Sequence, residues 1–278
     1  MKAPTAIAKA PTLTLGLVLL ACARQIAAAE TDQPAVPPAA STNVDRLLLS
    51  ADGAWLTGGS GAAGASALWS HMFSPRDLIN LGAEYQTVAN AHWTNGILSG
   101  SFGLGSGTPP TIVYFEAHEG AGDIGLHAFN YSVITAGLFA TPAEWLTVQL
   151  EERRIDVDTS HGNLPKVGLS FRVSKPLILS VSYADTAGGN LGTQLTTLRA
   201  DYIAQPVSAF AGAATGRAAP AVLNLLGQIV RPSPRLTELF AGVSRSFDRV
   251  VWQLVGDYQD LEGFKRTTVT LSWTLPLK

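Results

Sequence analysis

The chain has 278 residues, of which 46% are hydrophobic and 14% are charged, and its formal net charge is −2. Charged residues make up about 25% of an ordinary soluble domain, so the charge content is low although the apolar content is ordinary. Beyond the N-terminal region, no run reaches the roughly 18 apolar residues of a membrane-spanning helix. A slightly negative chain is also poorly suited to bind nucleic acid, and we predict no such partner.

Residues 1–29 have the pattern of a secretory signal peptide. A positively charged start precedes an apolar core over Leu13–Ala23, and Ala27–Ala29 forms a small-residue cleavage site. The alternative is lipidation at Cys22, which is the only cysteine of the chain. If Cys22 is removed with the signal, the mature protein has no thiol for a disulfide or a metal.

Residues 30–42 contain three prolines and are predicted to form a flexible periplasmic linker, followed by a single domain over 43–278. Prolines then recur at intervals of 34, 33, 34 and 30 residues, at Pro75, Pro109, Pro142, Pro176 and Pro206. Gly- and Asn-rich stretches lie between them, at 89–91, 119–122, 160–163 and 187–190. We interpret each interval as an outgoing strand, a loop, a returning strand and a tight turn.

Several segments alternate apolar residues with small or polar ones, which is the pattern of a strand with two different faces. The apolar residues predicted to contact lipid are Val167, Leu169, Phe171, Val173, Leu177, Leu179, Val181, Val269, Leu271, Trp273 and Leu275. A Lys or Arg on such a face near the membrane midplane would cost about 2–4 kcal/mol, and these faces carry no charge. The opposite faces contain mainly Ser, Thr, Gly and Gln, whereas a soluble β-sandwich would usually expose Lys and Glu there.

The sequence therefore predicts an all-β protein, a transmembrane antiparallel up-and-down β-barrel of about 12–14 strands. A further turn is predicted at Ser246–Arg249. Two strands before Pro75, two in each of the five intervals that follow and two after this last turn give 14, and an even number keeps both chain ends in the periplasm. The alternative of 12 applies if the poorly alternating segment 44–57 is not part of the wall. The apolar segment 218–231 is interpreted as a loop folded into or over the barrel.

Charged and polar residues on the alternation opposite to the lipid face are predicted to line the lumen. They are Glu84, Glu116, His118, Glu151, Arg153, Lys166, Arg172, Arg199, Asp201, Gln253 and Asp257. Both signs of charge occur, which fits either a narrow water path or a lattice of ion pairs without passage. Mixed signs predict weak ion selectivity, because selective pores line up one sign.

Candidate catalytic and metal-binding residues are few. His127 shares its alternation with Phe129, Tyr131 and Val133, so it is predicted on the lipid-facing wall, where a histidine could serve as base for a serine attacking a lipid ester. The segment Asp158–His161 contains Asp, Ser and His, but these types are common in turns and triads are usually drawn from separated segments. We therefore predict no catalytic residue and no enzyme activity.

Glu116 and His118 are two residues apart on one strand face, a spacing that can chelate a metal ion. No third ligand is recognisable in the sequence, and structural or catalytic metal sites use at least three protein ligands. We predict no metal site and no cofactor.

Short Gly- and Tyr-containing segments occur at Phe73–Asp77, Asn80–Tyr85, Phe240–Ser244, Gly256–Tyr258 and Thr270–Trp273. On these segments the chain resembles the YaiO-like family of outer-membrane β-barrel proteins of Gram-negative bacteria, from about Phe73 to the C-terminus. It departs from many outer-membrane proteins in ending with Leu277 and Lys278 rather than an aromatic residue. The resemblance implies a barrel without an established reaction and brings no catalytic residues.

The predicted location is the outer membrane of a Gram-negative bacterium. We expect a non-enzymatic barrel, either a narrow porin-like channel or a structural or accessory barrel of the envelope. The alternatives are an accessory barrel in surface-polysaccharide export and a lipid-modifying outer-membrane hydrolase. Expected partners are outer-membrane lipids including lipopolysaccharide, the barrel-assembly machinery, and an envelope or polysaccharide-export partner.

Overall fold

The computed structural model describes residues 44–57, 61–74, 76–88, 91–105, 111–124, 126–157, 160–189, 191–217, 235–247, 250–262 and 264–277. The predicted signal peptide, the linker 30–42 and the loop 218–231 lie outside the described residues. Within the described ranges, no helix is long and apolar enough to cross a membrane.

The regular structure in these ranges consists of β-strands of 3 to 17 residues. The strands are β1 (Val44–Leu56), β2 (Gly61–Met72), β3 (Leu78–Val88), β4 (Ala91–Leu104), β5 (Thr111–Ile124), β6 (His127–Ala143), β7 (Leu146–Val157), β8 (Ser160–Arg172), β9 (Leu177–Asp185), β10 (Ala187–Gly189), β11 (Gln194–Tyr202), β12 (Val207–Arg217), β13 (Arg235–Phe247), β14 (Val250–Leu261) and β15 (Phe264–Pro276).

Fourteen of these strands form one closed antiparallel barrel. Each wall strand pairs with its neighbours in the chain, and β1 pairs with β15 to close the ring. The short β10 lies outside this ring order and pairs only with the first residues of β8. The predicted fold class is confirmed. The twelve-strand alternative is wrong, because the ladder of β1 with both β2 and β15 holds segment 44–57 in the wall despite its weak alternation.

The two ends of the barrel differ. We call the end where β1 begins the turn end, because the connections that contain Pro176 and Pro206 lie there. The opposite end, where residues 218–234 connect β12 to β13, is called the loop end. The described chain also finishes at the turn end, where the backbone N–H of Leu277 donates to the carbonyl oxygen of Asp45 at 2.8 Å.

Of the three described prolines in this series, two lie in predicted turns and one does not. Pro176 lies in the connection between β8 and β9, and Pro206 in that between β11 and β12. Pro142 is instead part of β6, beside a register shift between Ala140 and Ala143, and the turn comes at residues 144–145. Proline lacks a backbone N–H, so a bulge accommodates it without losing a ladder bond. Pro75 and Pro109 are not among the described residues.

Asp77 fastens the turn between β2 and β3. Ser74 Oγ donates to Asp77 Oδ2 at 2.6 Å, and the backbone N–H of Gly103 on β4 donates to Asp77 Oδ1 at 3.0 Å. These two hydrogen bonds, the first being the larger cause, lower the pKa of Asp77, and the nearby Arg76 acts in the same direction. Because the folded pKa is depressed, the stabilisation is present above the ordinary pKa and is lost as pH falls through the folded value.

We expect Asp77→Asn to lower the free energy of unfolding by about 1 kcal/mol at neutral pH. The difference from the unchanged protein should shrink as pH falls below about 4, where the carboxyl group starts to be protonated. Urea unfolding midpoints between neutral and acidic pH measure this. Glu144→Gln, in another connection at the turn end, is the control and should show no such convergence. A pH-independent difference would contradict the assignment.

The outward surface carries an apolar belt. The positions predicted to contact lipid lie on the outward alternation, with Leu179 43% and Val269 39% exposed. Aromatic rings gather near the turn end, where Trp145 stacks with Phe171 at 6.4 Å and Phe247 with Trp252 at 6.3 Å. Amphipathic aromatic residues favour the interface between lipid and water, so this ring of aromatics is the girdle expected at one membrane boundary.

Burial of the inward side chains changes along the barrel axis. In the loop half, inward residues of β4, β6 and β15 are almost fully buried, as with Trp93 at 1%, Tyr131 at 1% and Thr268 at 0% exposure. Towards the turn end, inward residues such as Asn80 and Ser180 are only half-buried. The described interior is therefore densely packed in the loop half and accessible in the turn half.

Candidate functional site

The candidate site is the polar interior of the barrel. All eleven residues predicted to line the lumen lie on the inward alternation of their strands. The strand register supports this placement. Glu116 is paired with Ser99 on β4 and with Thr135 on β6, and residues that are paired across neighbouring strands point to the same face of the sheet. Whether these residues border a continuous water path stays a prediction.

Strands β5 to β8 hold the Glu151 cluster, which consists of Tyr114, Gln149, Glu151, Arg153 and Lys166. Glu151 is its centre, with a side chain only 2% exposed. Arg153 Nη2 donates to Glu151 Oε1 at 2.9 Å, and Tyr114 Oη donates to Glu151 Oε2 at 2.6 Å. Lys166 Nζ lies 3.9 Å from Glu151 Oε2. The carboxylate is thus compensated by two cations and by further hydrogen bonds, as a buried charge requires.

Two further acidic residues of this side of the barrel also have basic neighbours. His118 Nε2 is 2.8 Å from Glu116 Oε1 on the same strand. In the turn half, Arg199 Nε donates to Asp201 at 2.8 Å, and the guanidinium of Arg199 lies 4.3 Å from the ring centroid of Phe210. Each carboxylate that β5, β7 and β11 direct inward therefore has a basic partner on its own strand.

The opposite side has a different composition. We call the inward residues Asp52, Glu84, Glu238, Asp257 and Arg266 of β1, β3, β13, β14 and β15 the acidic half-wall. This set contains four acidic side chains and one guanidinium among the described residues, and all except Asp52 are at most 8% exposed. Asp257 on β14 is paired with Thr268 on β15, and Thr268 is paired with Ala54 on β1. These strands are therefore neighbours at the place where β1 and β15 close the barrel.

Side-chain amides accompany these carboxylates. Gln86 Nε2 donates to Asp52 Oδ1 at 3.1 Å, and Gln259 Nε2 donates to Glu238 Oε1 at 3.0 Å. The first bond passes over Gly64, where a Cβ atom would overlap both Gln86 and Asp52. Glycine is needed at this position because the two polar groups can meet only over a residue without a side chain.

Sequence reasoning missed Asp52, Gln86, Asn95, Glu238, Gln259 and Arg266. A usable signal was present for some of them, because Asp52 shares its alternation with Ser50 and Ala54, opposite Leu49 and Trp55. It was hidden because segment 44–57 alternates poorly overall. Glu238 and Arg266 lie close to strand ends, where charge is expected to meet water.

The prediction that the face of His127 belongs to the lipid-facing wall is wrong. Phe129, Tyr131 and Val133, on which it was based, are at most 3% exposed and point inward. In the loop half of β6, apolar and aromatic residues point into the interior, so hydrophobicity no longer marks the outer face of this strand. The side chain of His127 is not among those described.

Nothing in the described residues assembles the other candidate sites. Ser160 and His161 begin β8, while residues 158–159 are outside the described ranges. Glu116 and His118 contact each other, but the part of the chain that the structure describes contains no group of three or more His, Cys, Asp or Glu arranged to hold a metal ion.

Comparison with known proteins bears on the fold. No family model matches the sequence, and no curated protein is similar to it in sequence. Among solved structures, the chain is similar to the CymD monoaromatic hydrocarbon channel, with a TM-score of 0.58 and 12% identity over 85% of this chain and 89% of that one. The TodX monoaromatic hydrocarbon channel, as its deltaS2 mutant, gives a TM-score of 0.56 and 8% identity over 86% and 91%.

A bacterial polysaccharide outer membrane secretin gives a TM-score of 0.55 and 11% identity, over 86% of this chain and all of that one (100%). The chain has the closed β-barrel fold of these outer-membrane proteins. At these identities the likeness establishes the fold and no more, and the predicted location in the Gram-negative outer membrane agrees with it. Nothing in the comparisons distinguishes the YaiO-like family from other outer-membrane barrels.

Proposed function

We propose that this outer-membrane barrel is a narrow, non-enzymatic, porin-like channel for small hydrophilic solutes. The observation that carries the proposal is the polar interior, which holds charges of both signs in the loop half and half-buried polar side chains in the turn half. About eight strands enclose just enough room for side chains, so fourteen strands enclose more room than that, and the inward residues of the turn half are accessible. Two of the similar structures bear the name of channels.

Their hydrocarbon ligands do not suit the interior of this chain. A hydrocarbon passing Glu151, Arg153 and Lys166 would replace water around charged groups without offering hydrogen bonds, which is costly. A hydrophilic solute can replace that water. The polar lining therefore favours solutes that carry hydrogen-bonding groups.

Conductance of the purified protein in planar lipid bilayers tests the proposal. We expect discrete current steps that become smaller in Ser180→Trp, because Ser180 points into the accessible turn half. Leu179→Trp, one residue away on the outward face, is the matched control and should leave the steps unchanged. Absence of current over a wide voltage range, or equal effects of the two variants, would overturn the channel.

The more specific expectations about family, partners and the absence of enzyme activity remain proposals, and each has its own basis or test. Membership of the YaiO-like family rests on the short segments between Phe73 and Trp273. Contacts with lipopolysaccharide, the barrel-assembly machinery or a polysaccharide-export partner would be detected by co-purification in mild detergent. The absence of enzyme activity predicts that His161→Ala leaves the lipid composition of the outer membrane unchanged.

A further inference from the structure

Two phenylalanine rings lie over glycines on the inner face of β12 and β13. Phe210 on β12 is paired with Gly242 on β13, and Gly212 is paired with Phe240. A Cβ atom on Gly242 would overlap the Phe210 ring, and one on Gly212 would overlap the Phe240 ring. Each ring can lie across the neighbouring strand because glycine has no side chain. The ring centroids are 6.3 Å apart and both residues are half-buried, so the rings form one apolar surface that borders the interior.

A pair of charged side chains lies next to these rings. Asp201 on β11 is paired with Phe210, and Arg199 is paired with Gly212. Arg199 Nε donates to both carboxylate oxygens of Asp201 at 2.8 Å, and the guanidinium lies 4.3 Å from the centroid of the Phe210 ring. The two charged side chains are 16% and 20% exposed. We call Arg199, Asp201, Phe210 and Phe240 the aromatic patch, which combines apolar ring surface with donors and acceptors whose charges compensate each other.

The opposite wall, on β5 to β7, has a similar arrangement. The ring of half-buried Tyr114 lies where a Cβ atom on Gly137 would be placed, and Gln149 Nε2 donates to Tyr114 Oη at 2.9 Å. Ser170 on β8 and Ser180 on β9, whose hydroxyl oxygens are 2.8 Å apart, belong to the wall between these two regions. The accessible interior is therefore lined by aromatic rings, hydroxyl groups and compensated charges, which suit a solute with an apolar face and a polar edge.

Building on the proposed channel, we infer that its solutes are saccharides, which the aromatic patch binds during passage. A sugar ring has C–H groups on its faces, which can stack on the apolar surface of Phe210 and Phe240. Its hydroxyl groups both donate and accept, and Arg199 and Asp201 offer donors and acceptors side by side. A few fixed polar groups beside an apolar surface are the usual means of orienting a small molecule. An aromatic carboxylate is less well suited, because Asp201 already compensates the charge of Arg199.

Interruption of the ion current by added solute tests the inference in the unchanged protein. In planar bilayers, we expect at least one of glucose, galactose and maltose at millimolar concentration to interrupt the current in a concentration-dependent way. Sorbitol has hydroxyl groups like those of glucose but no ring, and benzoate has an aromatic ring and a carboxylate. Neither is expected to interrupt the current at the same concentrations.

Substitutions of Phe240 assign the effect to the aromatic patch. Phe240→Leu should raise the half-blocking concentration of the sugar by about threefold to tenfold, because leucine keeps apolar bulk over Gly212 but offers no ring face. Phe240→Tyr keeps the ring and should behave like the unchanged protein. Phe247→Leu is the matched control, because it makes the same change on the exposed outward face of the same strand.

Conductance that no sugar interrupts more than sorbitol does, or that benzoate interrupts equally, would overturn the inference and leave the channel standing. Equal effects of Phe240→Leu and Phe247→Leu would also overturn it. The comparison of sugars with sorbitol needs no variant, so it decides the question even where Phe240→Leu does not fold. Absence of any conductance would overturn both the channel and the inference.

Discussion

Replacing Glu151 by glutamine is expected to lower the free energy of unfolding by about 3–5 kcal/mol, the usual cost of breaking a buried ion pair from one side. Glutamine keeps the size of the side chain and can still accept from Tyr114. It removes the charge that compensates Arg153 and Lys166, whose side chains are 10% and 8% exposed. Two cations would then share a buried region with one carboxylate fewer.

Urea unfolding in detergent micelles, followed by the heat-dependent gel mobility of folded barrels, measures this loss. Glu152→Gln is the control, because Glu152 is adjacent in sequence, carries the same charge and is exposed on the outward face. Surface substitutions of this kind usually change stability by less than about 0.5 kcal/mol. A loss in Glu151→Gln no larger than that in Glu152→Gln would contradict the buried cluster.

A second substitution separates charge from packing. If the loss in Glu151→Gln comes from uncompensated cations, adding Arg153→Met should cost less than the sum of the two single changes, because the cation left behind by the first change is removed by the second. Residues in one ion-pair network typically show coupling of about 0.5–3 kcal/mol. Strict additivity would show that Glu151 and Arg153 act independently, contrary to their 2.9 Å contact.

The wall of this barrel was predictable because two signals agreed along most of its length. The proline intervals, together with the turn at 246–249, predicted the number of strands, and the alternation from Lys166 to Ser174 predicted the lipid-facing side of β8. A closed barrel in a bilayer imposes both signals, since outward side chains meet acyl chains and turns return to water. The inward direction of Glu151 and Arg153 follows from the same alternation.

The loop half was not predictable from the same rules. There the interior is packed, so Phe129 and Tyr131 point inward although they resemble lipid-facing residues. The Gly-rich segment 119–122 is similarly part of β5 rather than a loop. Its glycines make room for bulky inward neighbours, since a Cβ atom on Gly122 would overlap Trp93. The local sequence shows where a glycine lies. It does not show whether that glycine forms part of a turn or leaves room for a neighbouring side chain.

The acidic half-wall was hidden for a related reason. Its residues come from five strands that meet only when β1 closes on β15, and no local pattern connects Asp52 with Asp257. Of its members, Glu84 and Asp257 were recognised one at a time, as charges on an inward alternation. The grouping of these side chains on one side exists only at the level of the closed ring.

Gly120 provides the second large expected effect, and Gly120→Ala should destabilise the barrel by about 3 kcal/mol, at the upper end of the cost of overpacking. A Cβ atom at this position would overlap the carbonyl oxygen of Thr94 and the side chain of Asn95. The carbonyl oxygen belongs to the ladder between β4 and β5, so it cannot move without disturbing that ladder. The same urea titration measures the loss.

Gly53→Ala is the matched control, because a Cβ atom on Gly53 would have no neighbour within 4 Å. Alanine in a strand is more favourable than glycine by about 0.5–1 kcal/mol, so this variant should be slightly more stable than the unchanged protein. The two Gly→Ala changes are thus expected to have opposite signs. Adding Asn95→Ala to Gly120→Ala should recover little, because the overlap with the Thr94 backbone remains. Full recovery would show that the side chain of Asn95, and not the spacing of β4 and β5, requires glycine at position 120.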